Sequence, residues 1–173
     1  MQMQRSTSRS PTWRSRPSRY VVLTLGDATL AVPQGEVHTL ESLLDLEPDA
    51  EGLRVGFITL HGQRWPVYCP SASLEPLASL PEARRVCVML AVGGELFGLA
   101  CESVSTVDAE HLEFATLPAC MSTPEHPISA LARSEDDLLC ITCAADLLRF
   151  ASPAPQAGDE FRARQLALQC ESE

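Results

Sequence analysis

The sequence predicts a mostly β protein assembled from two copies of one small unit. Apolar runs of five to seven residues are broken by Gly and Pro, which is strand-and-turn punctuation. The runs recur later in the same order. The composition, 5% aromatic with 13 Pro and 9 Gly among 173 residues, disfavours a long helical bundle, and no heptad runs occur.

The elements follow in order. Residues 1–18 consist of Ser, Arg, Pro, Thr and Gln with little to bury beyond Trp13, too little to offset the entropy of ordering, so they are expected to form a disordered Arg/Ser-rich arm. YVVLTL, Gly26-Asp27 and TLAV then read as two strands about a tight turn ended by Pro33. A connection rich in Leu, Glu and Asp leads to VGFITL, the turn His61-Gly62-Gln63 and RWPVY, a second hairpin. Pro66 is expected at an edge or a bulge, because it cannot donate to a ladder. After the proline-spaced segment 73–83, RRVCVMLAV, Gly93-Gly94 and ELFGLACESVSTV restate the first hairpin.

The repeat is specific in register. At an offset of 67, Leu23 matches Leu90, Leu30 matches Phe97, Val32 matches Leu99, Val37 matches Val104, and the turn glycines Gly26 and Gly93 coincide. PISALARSEDDLLCITCAADLL lies on RVGFITLHGQRWPVYCPSASL at an offset of 74, pairing Gly56 with Ala130, Trp65 with Leu139 and Val67 with Ile141. Short strands at this spacing favour two small barrels over a parallel sheet, which needs crossovers of a dozen or more residues. Residues 19–152 are therefore read as the folded body. Residues 153–173 are read as a C-terminal tail that supports at most a short helix.

Charge limits the partners. Residues 1–20 hold Arg5, Arg9, Arg14, Arg16 and Arg19 with no acid, whereas the rest of the chain carries −15, for a net −10. A body this acidic repels a phosphate backbone, so nucleic acid is not an expected partner. No run approaches the roughly 18 apolar residues of a membrane span, and no apolar segment follows the first charges as in a secretory signal. A cytoplasmic protein without direct membrane insertion is the expectation.

Catalytic chemistry is sparse. His38, His61, His111 and His126 lack metal-ligand spacing, and neither metal nor cofactor is expected. The seven cysteines lie in mostly apolar sequence and read as reduced, largely buried thiols. Cys140 and Cys143 have the C-x-x-C form but fall in LLCITCAADLL, read here as a buried strand rather than the helix start that a redox motif uses. Cys69 with His61 nearby makes a weak nucleophile–base pair, since Pro66 and Pro70 flank it and no oxyanion site is evident. Gly93-Gly94 lacks the Lys-Ser/Thr of a phosphate loop, and Glu135-Asp136-Asp137 lacks the alternating ligands of a calcium loop, so both read as turns. No enzyme is expected.

The segments 20–40, 55–68, 84–107 and 127–148, in this order and spacing, resemble the CheW-like family of chemotaxis coupling proteins. The resemblance implies two pseudo-repeated, intertwined five-stranded β-barrel subdomains with short helical segments. It implies a non-catalytic adaptor that couples chemoreceptors to a CheA-type histidine kinase, located in the cytoplasm at membrane-associated or polar receptor arrays. The implied partners are the kinase's regulatory domain, which docks at barrel ends in pseudo-symmetric rings, the methyl-accepting chemoreceptor's cytoplasmic tip, which binds a groove between the subdomains, and other CheW-like proteins. Carried over by position, the partner-contact candidates are Val37, Leu40, Ile58, Leu60, His61, Gly62, Leu99 and Val104, each of the apolar ones being alternatively an ordinary core residue.

The chain departs from the family pattern at several positions. Where the family has Arg-Gly this chain has His61-Gly62; Thr39 replaces an acid, Cys69-Pro70 replaces Asp-Leu, Glu102 replaces Asp and Ala130 replaces Gly. Losing the arginine removes a permanent cation and a bidentate donor. These changes mark a divergent or accessory coupling protein, such as one serving a pilus or surface-motility pathway. The alternative is a degenerate CheW-like domain that recruits a different polar, pilus or motility partner without kinase coupling, through its surface or its Arg-rich arm.

Overall fold

The computed structural model describes residues 16–49, 53–121, 123, 126–135 and 137–151, so the expectations for residues 1–15, the tail 153–173 and Asp136 lie outside the described residues. Among the described residues, twelve strands and one α-helix are formed. The first copy contributes β1 (Arg19–Leu25), β2 (Ala28–Pro33), β3 (Val37–Ser42), β4 (Glu47–Pro48), β5 (Arg54–Leu60) and β6 (Gln63–Tyr68). The second contributes β7 (Val86–Val92), β8 (Glu95–Cys101), β9 (Ser103–Asp108), β10 (Glu113–Ala115), β11 (Ala130–Ser134) and β12 (Asp137–Ile141), then α1 (Ala144–Ala151). The two halves thus hold the same six strands in the same order.

The copies exchange their first hairpins. One sheet runs β10-β11-β12-β2-β1-β9 and the other β3-β7-β8-β6-β5-β4, so each combines the opening hairpin of one copy with the last four strands of the other. Replacing every strand by its counterpart converts one order into the other. The joints match residue for residue: Ile141 pairs with Ala31 and Val67 with Gly98 in the parallel ladders β12–β2 and β6–β8. Each parallel pair is reached by the exchange, with no helical crossover.

Each sheet has six strands, one more than the expected five, the additions being the very short β4 and β10. Connection length makes the sheets curl. Ser42 at the end of β3 and Glu47 at the start of β4 lie on opposite edges of one sheet. Six flat strands would separate these edges by roughly 24 Å, whereas five residues reach at most about 17 Å. A 3₁₀ turn (Leu43–Asp45) therefore bridges the seam of a rolled sheet. Asp108 and Glu113 are bridged in the same way by Ala109–His111.

Both faces of the exchanged hairpins are buried, which explains their nearly continuous apolar runs. Val21, Leu23, Leu25, Leu30 and Val32 meet Val88, Leu90, Phe97, Leu99 and Cys101 in a central core between the sheets. The alternate residues Tyr20, Val22 and Ala31 join Leu139 and Ile141 inside the first sheet, and Cys87, Met89 and Ala100 join Val55, Ile58 and Val67 inside the second. At Gly98 an added Cβ would lie 2.4 Å from Cys87 Sγ, so this crowded layer admits no side chain there.

Two local expectations are corrected. Pro66 lies on β6, which runs between β5 and β8 and is not an edge strand. It is accommodated because the ladder with β8 starts only at Val67, leaving Pro66 opposite Phe57 alone. The segment LLCITCAADLL is not one strand: β12 ends at Ile141 and α1 begins at Ala144, directly after Cys143. Thr142 turns inward to donate from Oγ1 to Pro127 O (2.6 Å), and Glu36 Oε2 accepts from Ala144 N at 2.6 Å, a cap supplied from 108 residues away that the local sequence does not reveal.

Candidate interaction surfaces

The residues singled out from the sequence separate into three groups. Val37 and Val104, counterparts at the starts of β3 and β9, are partly buried against the central core, which also contains Leu99 at 1% exposure. Ile58, 2% exposed, and Leu60 belong to the core of the second sheet. His61 and Gly62 form the exposed turn between β5 and β6, with φ of 52° and 79°. Positive φ at both central residues gives the twist of a two-residue hairpin, which explains the glycine at the second position. Leu40 stands out on β3 with 51% of its surface exposed. Leu99 and Ile58 are thus core side chains, and Leu40, His61 and Gly62 are open to a partner.

A groove that these residues do not include lies where β6 and β8 meet α1. Its volume is about 520 Å³, and Trp65, Tyr68 and Phe97 face it beside Leu148. Tyr68 and Phe97 pack edge to face with centroids 6.4 Å apart. Arg64, Glu95 and Arg149 form its charged rim. Arg64 pairs with Glu47 at 3.0 Å and lies 4.3 Å from the Phe57 centroid, and Arg149 pairs with Asp146 at 2.7 Å. Aromatic side chains ringed by arginine are the composition of a protein-binding patch. Sequence reasoning missed this groove because α1 forms half of it, and the capped start of α1 was read as strand.

The thiols are arranged for burial. Cys69, Cys87 and Cys101 are fully buried. Burial pushes all three up, Cys101 to about 12, and the Arg84 guanidinium only partly counters this at Cys69 and Cys101. Cys69 follows the end of β6 while His61 precedes its start, so the length of the strand separates them. Cys140 and Cys143 are half-buried and also raised by burial, the opposite of an activated redox pair. Asp108, Glu110 and His111 bring ligand atoms within 4.8 Å of one another, but Asp108 Oδ1 is held by Arg19 Nε at 2.7 Å.

The two exchanged six-stranded barrels define a mostly β domain of two pseudo-repeated subdomains. The sequence signature of the CheW-like domain matches residues 19–149, and the chain belongs to that family. Among solved structures it is similar to the scaffolding protein TtCheW from Thermoanaerobacter tengcongensis, with a TM-score of 0.56 and 18% identity over 73% of this chain and 89% of that one. Comparison with curated proteins gives no significant match. No helix among the described residues is long and apolar enough to cross a membrane.

Proposed function

We propose that this protein is a non-catalytic adaptor of a bacterial chemosensory array, coupling chemoreceptors to a CheA-type histidine kinase. The observation that carries the reading is the CheW-like match across residues 19–149. Membership of that family supports a scaffold role in chemotaxis signalling. The aromatic groove beneath α1 and the exposed Leu40 on β3 supply surfaces of the kind that protein recognition uses. The partners in this reading are the kinase's regulatory domain and the cytoplasmic tip of a methyl-accepting receptor. Each contact is modest in affinity and strengthened by array formation.

Calorimetric titration of the full chain with the regulatory domain of the kinase from the same organism tests the reading. Saturable binding is the expected result. Absence of binding up to high micromolar concentration refutes kinase coupling and leaves a CheW-like domain recruited to another partner, a reading that His61 in place of the family's arginine favours.

A further inference from the structure

The pseudo-twofold places two equivalent clefts at the barrel seams, each between the segment entering a central hairpin strand and the 3₁₀ turn that bridges the seam. In the first, Ala109 N donates to Ser18 O at 2.9 Å; in the second, Leu43 N donates to Arg85 O at 3.4 Å. The equivalence fixes which residues correspond. Ser42 stands where the first cleft has Asp108, Leu44 where it has Glu110, and Arg84-Arg85 where it has Pro17-Ser18.

The clefts differ in chemistry. The first supplies its own counter-charge, since Arg19 of the entering strand pairs with Asp108 at 2.7 Å. The second, about 350 Å³ in volume, has two arginines and no such acid. Arg84 is 6% exposed and donates from Nη1 to Thr24 O (3.3 Å) and from Nη2 to Pro70 O (3.0 Å), two carbonyls that carry no full negative charge. Glu82 lines the same cleft, yet among the described residues no ion pair joins it to either arginine. Ser42 Oγ is occupied in accepting from Leu44 N at 3.2 Å. That bond holds Leu44 outward, 95% exposed, beside Leu43 and Leu80. The exposed Leu44, beside the partly buried Leu80 and the two arginines, is open to be covered by a partner that is both apolar and acidic.

We propose that the cleft formed by Leu44, Leu80, Arg84 and Arg85 is a docking site for a short acidic–apolar segment of a partner protein. An apolar side chain of the segment covers Leu44 and Leu80, and a carboxylate pairs with Arg85 at the mouth, with Arg84 behind it. The first cleft shows a carboxylate seated against an arginine in this setting, Asp108 on Arg19; in the second, Ser42 and Val86 stand at those two positions and the arginines are the two residues before Val86. A second copy of this chain is a poor occupant, because its corresponding acid, Asp108, is already committed to Arg19. The site shares no lining residue with the groove beneath α1 and does not depend on which signalling partner that groove receives.

The test uses the ¹⁵N-labelled full chain and two synthetic hexapeptides, acetyl-LDLLEL-amide and its uncharged counterpart acetyl-LNLLQL-amide. The acidic peptide is expected to shift the amides of Leu44 and Arg85 and to bind about tenfold more tightly than the uncharged one, the worth of one charge-assisted pair. Leu44→Ser and Arg85→Gln, both at exposed positions, are each expected to abolish that preference while leaving the remaining spectrum unchanged. Equal binding of the two peptides, no binding at millimolar concentration, or shifts centred on Trp65 and Phe97 overturn the proposal. Shifts at Leu44 that follow protein concentration without peptide assign the cleft to a second copy instead. Shifts there on removing residues 153–173 assign it to the chain's own tail.

Discussion

Replacing Ile58 by Glu and Leu40 by Glu distinguishes a core position from a surface position among residues that the sequence groups together. Ile58 is 2% exposed in the core of the second sheet, among Val55, Val67, Cys87 and Met89. Removing its side chain forfeits about 2–3 kcal/mol of apolar burial, and seating a carboxylate there without a partner adds several kcal/mol more. The total, about 5–8 kcal/mol, is comparable with the whole stability of a domain, roughly 5–15 kcal/mol. Leu40 is 51% exposed, and its replacement is expected to change stability by about 0.5 kcal/mol or less. Urea denaturation followed by circular dichroism measures both. Ile58→Glu should be largely unfolded at pH 7 and recover partly at acid pH, where the buried carboxyl keeps its proton and the charge penalty disappears. An Ile58→Glu protein with native stability at pH 7 would refute the placement of β5 against β7 and β8.

Four further outcomes follow from the packing. Gly98→Ala forces a Cβ to 2.4 Å from Cys87 Sγ and is expected to cost about 1–3 kcal/mol, with Cys87→Ala relieving part of that cost in the double variant; additive urea midpoints would contradict the contact. In the native protein at pH 8, Cys120 is expected to react with a maleimide while Cys69, Cys87 and Cys101 remain unmodified, as mass spectrometry of the digested protein would show. Because burial holds these three thiols protonated above their ordinary value of 9.0, their contribution to stability is intact below about pH 9 and falls at higher pH, where the unfolded thiols ionise first; thermal scans between pH 7 and 10.5 check the sign. Glu36→Ala removes the acceptor for Ala144 N and should weaken α1 by about 1 kcal/mol, seen as faster amide exchange within Ala144–Ala151 while the central strands stay protected.

The two barrels and their repeat were legible because period-2 alternation, glycine turns and a constant register are local signals. Leu23 against Leu90 and Val67 against Ile141 are true counterparts in the structure. The hairpin exchange was implied only by the family resemblance; the strand pattern does not show it, since similar strands pair equally well within a copy or across copies, and the seam connections 43–46 and 109–112 join strands of one copy either way. β3 and β9 were obscured by their mixed faces, in which residues such as His38, Ser42 and Ser105 are exposed on strands with one unpaired edge. The helix α1 depends on Glu36, far away in sequence, so LLCITCAADLL read as one strand and the groove that α1 completes went unseen. Exposure divides the candidate contacts: Ile58 and Leu99 share the apolar character of Leu40 but lie inside the barrels, a difference fixed by the pairing of β3, β5 and β8.

The adaptor assignment is tested most directly by calorimetric titration of the CheA-type kinase regulatory domain against the native protein and the Leu40→Glu variant. Saturable binding by the native chain, weakened at least about tenfold in a variant whose denaturation midpoint is unchanged, is the expected result. No binding by the native chain contradicts kinase coupling. Equal binding by the folded variant removes β3 from the contact surface.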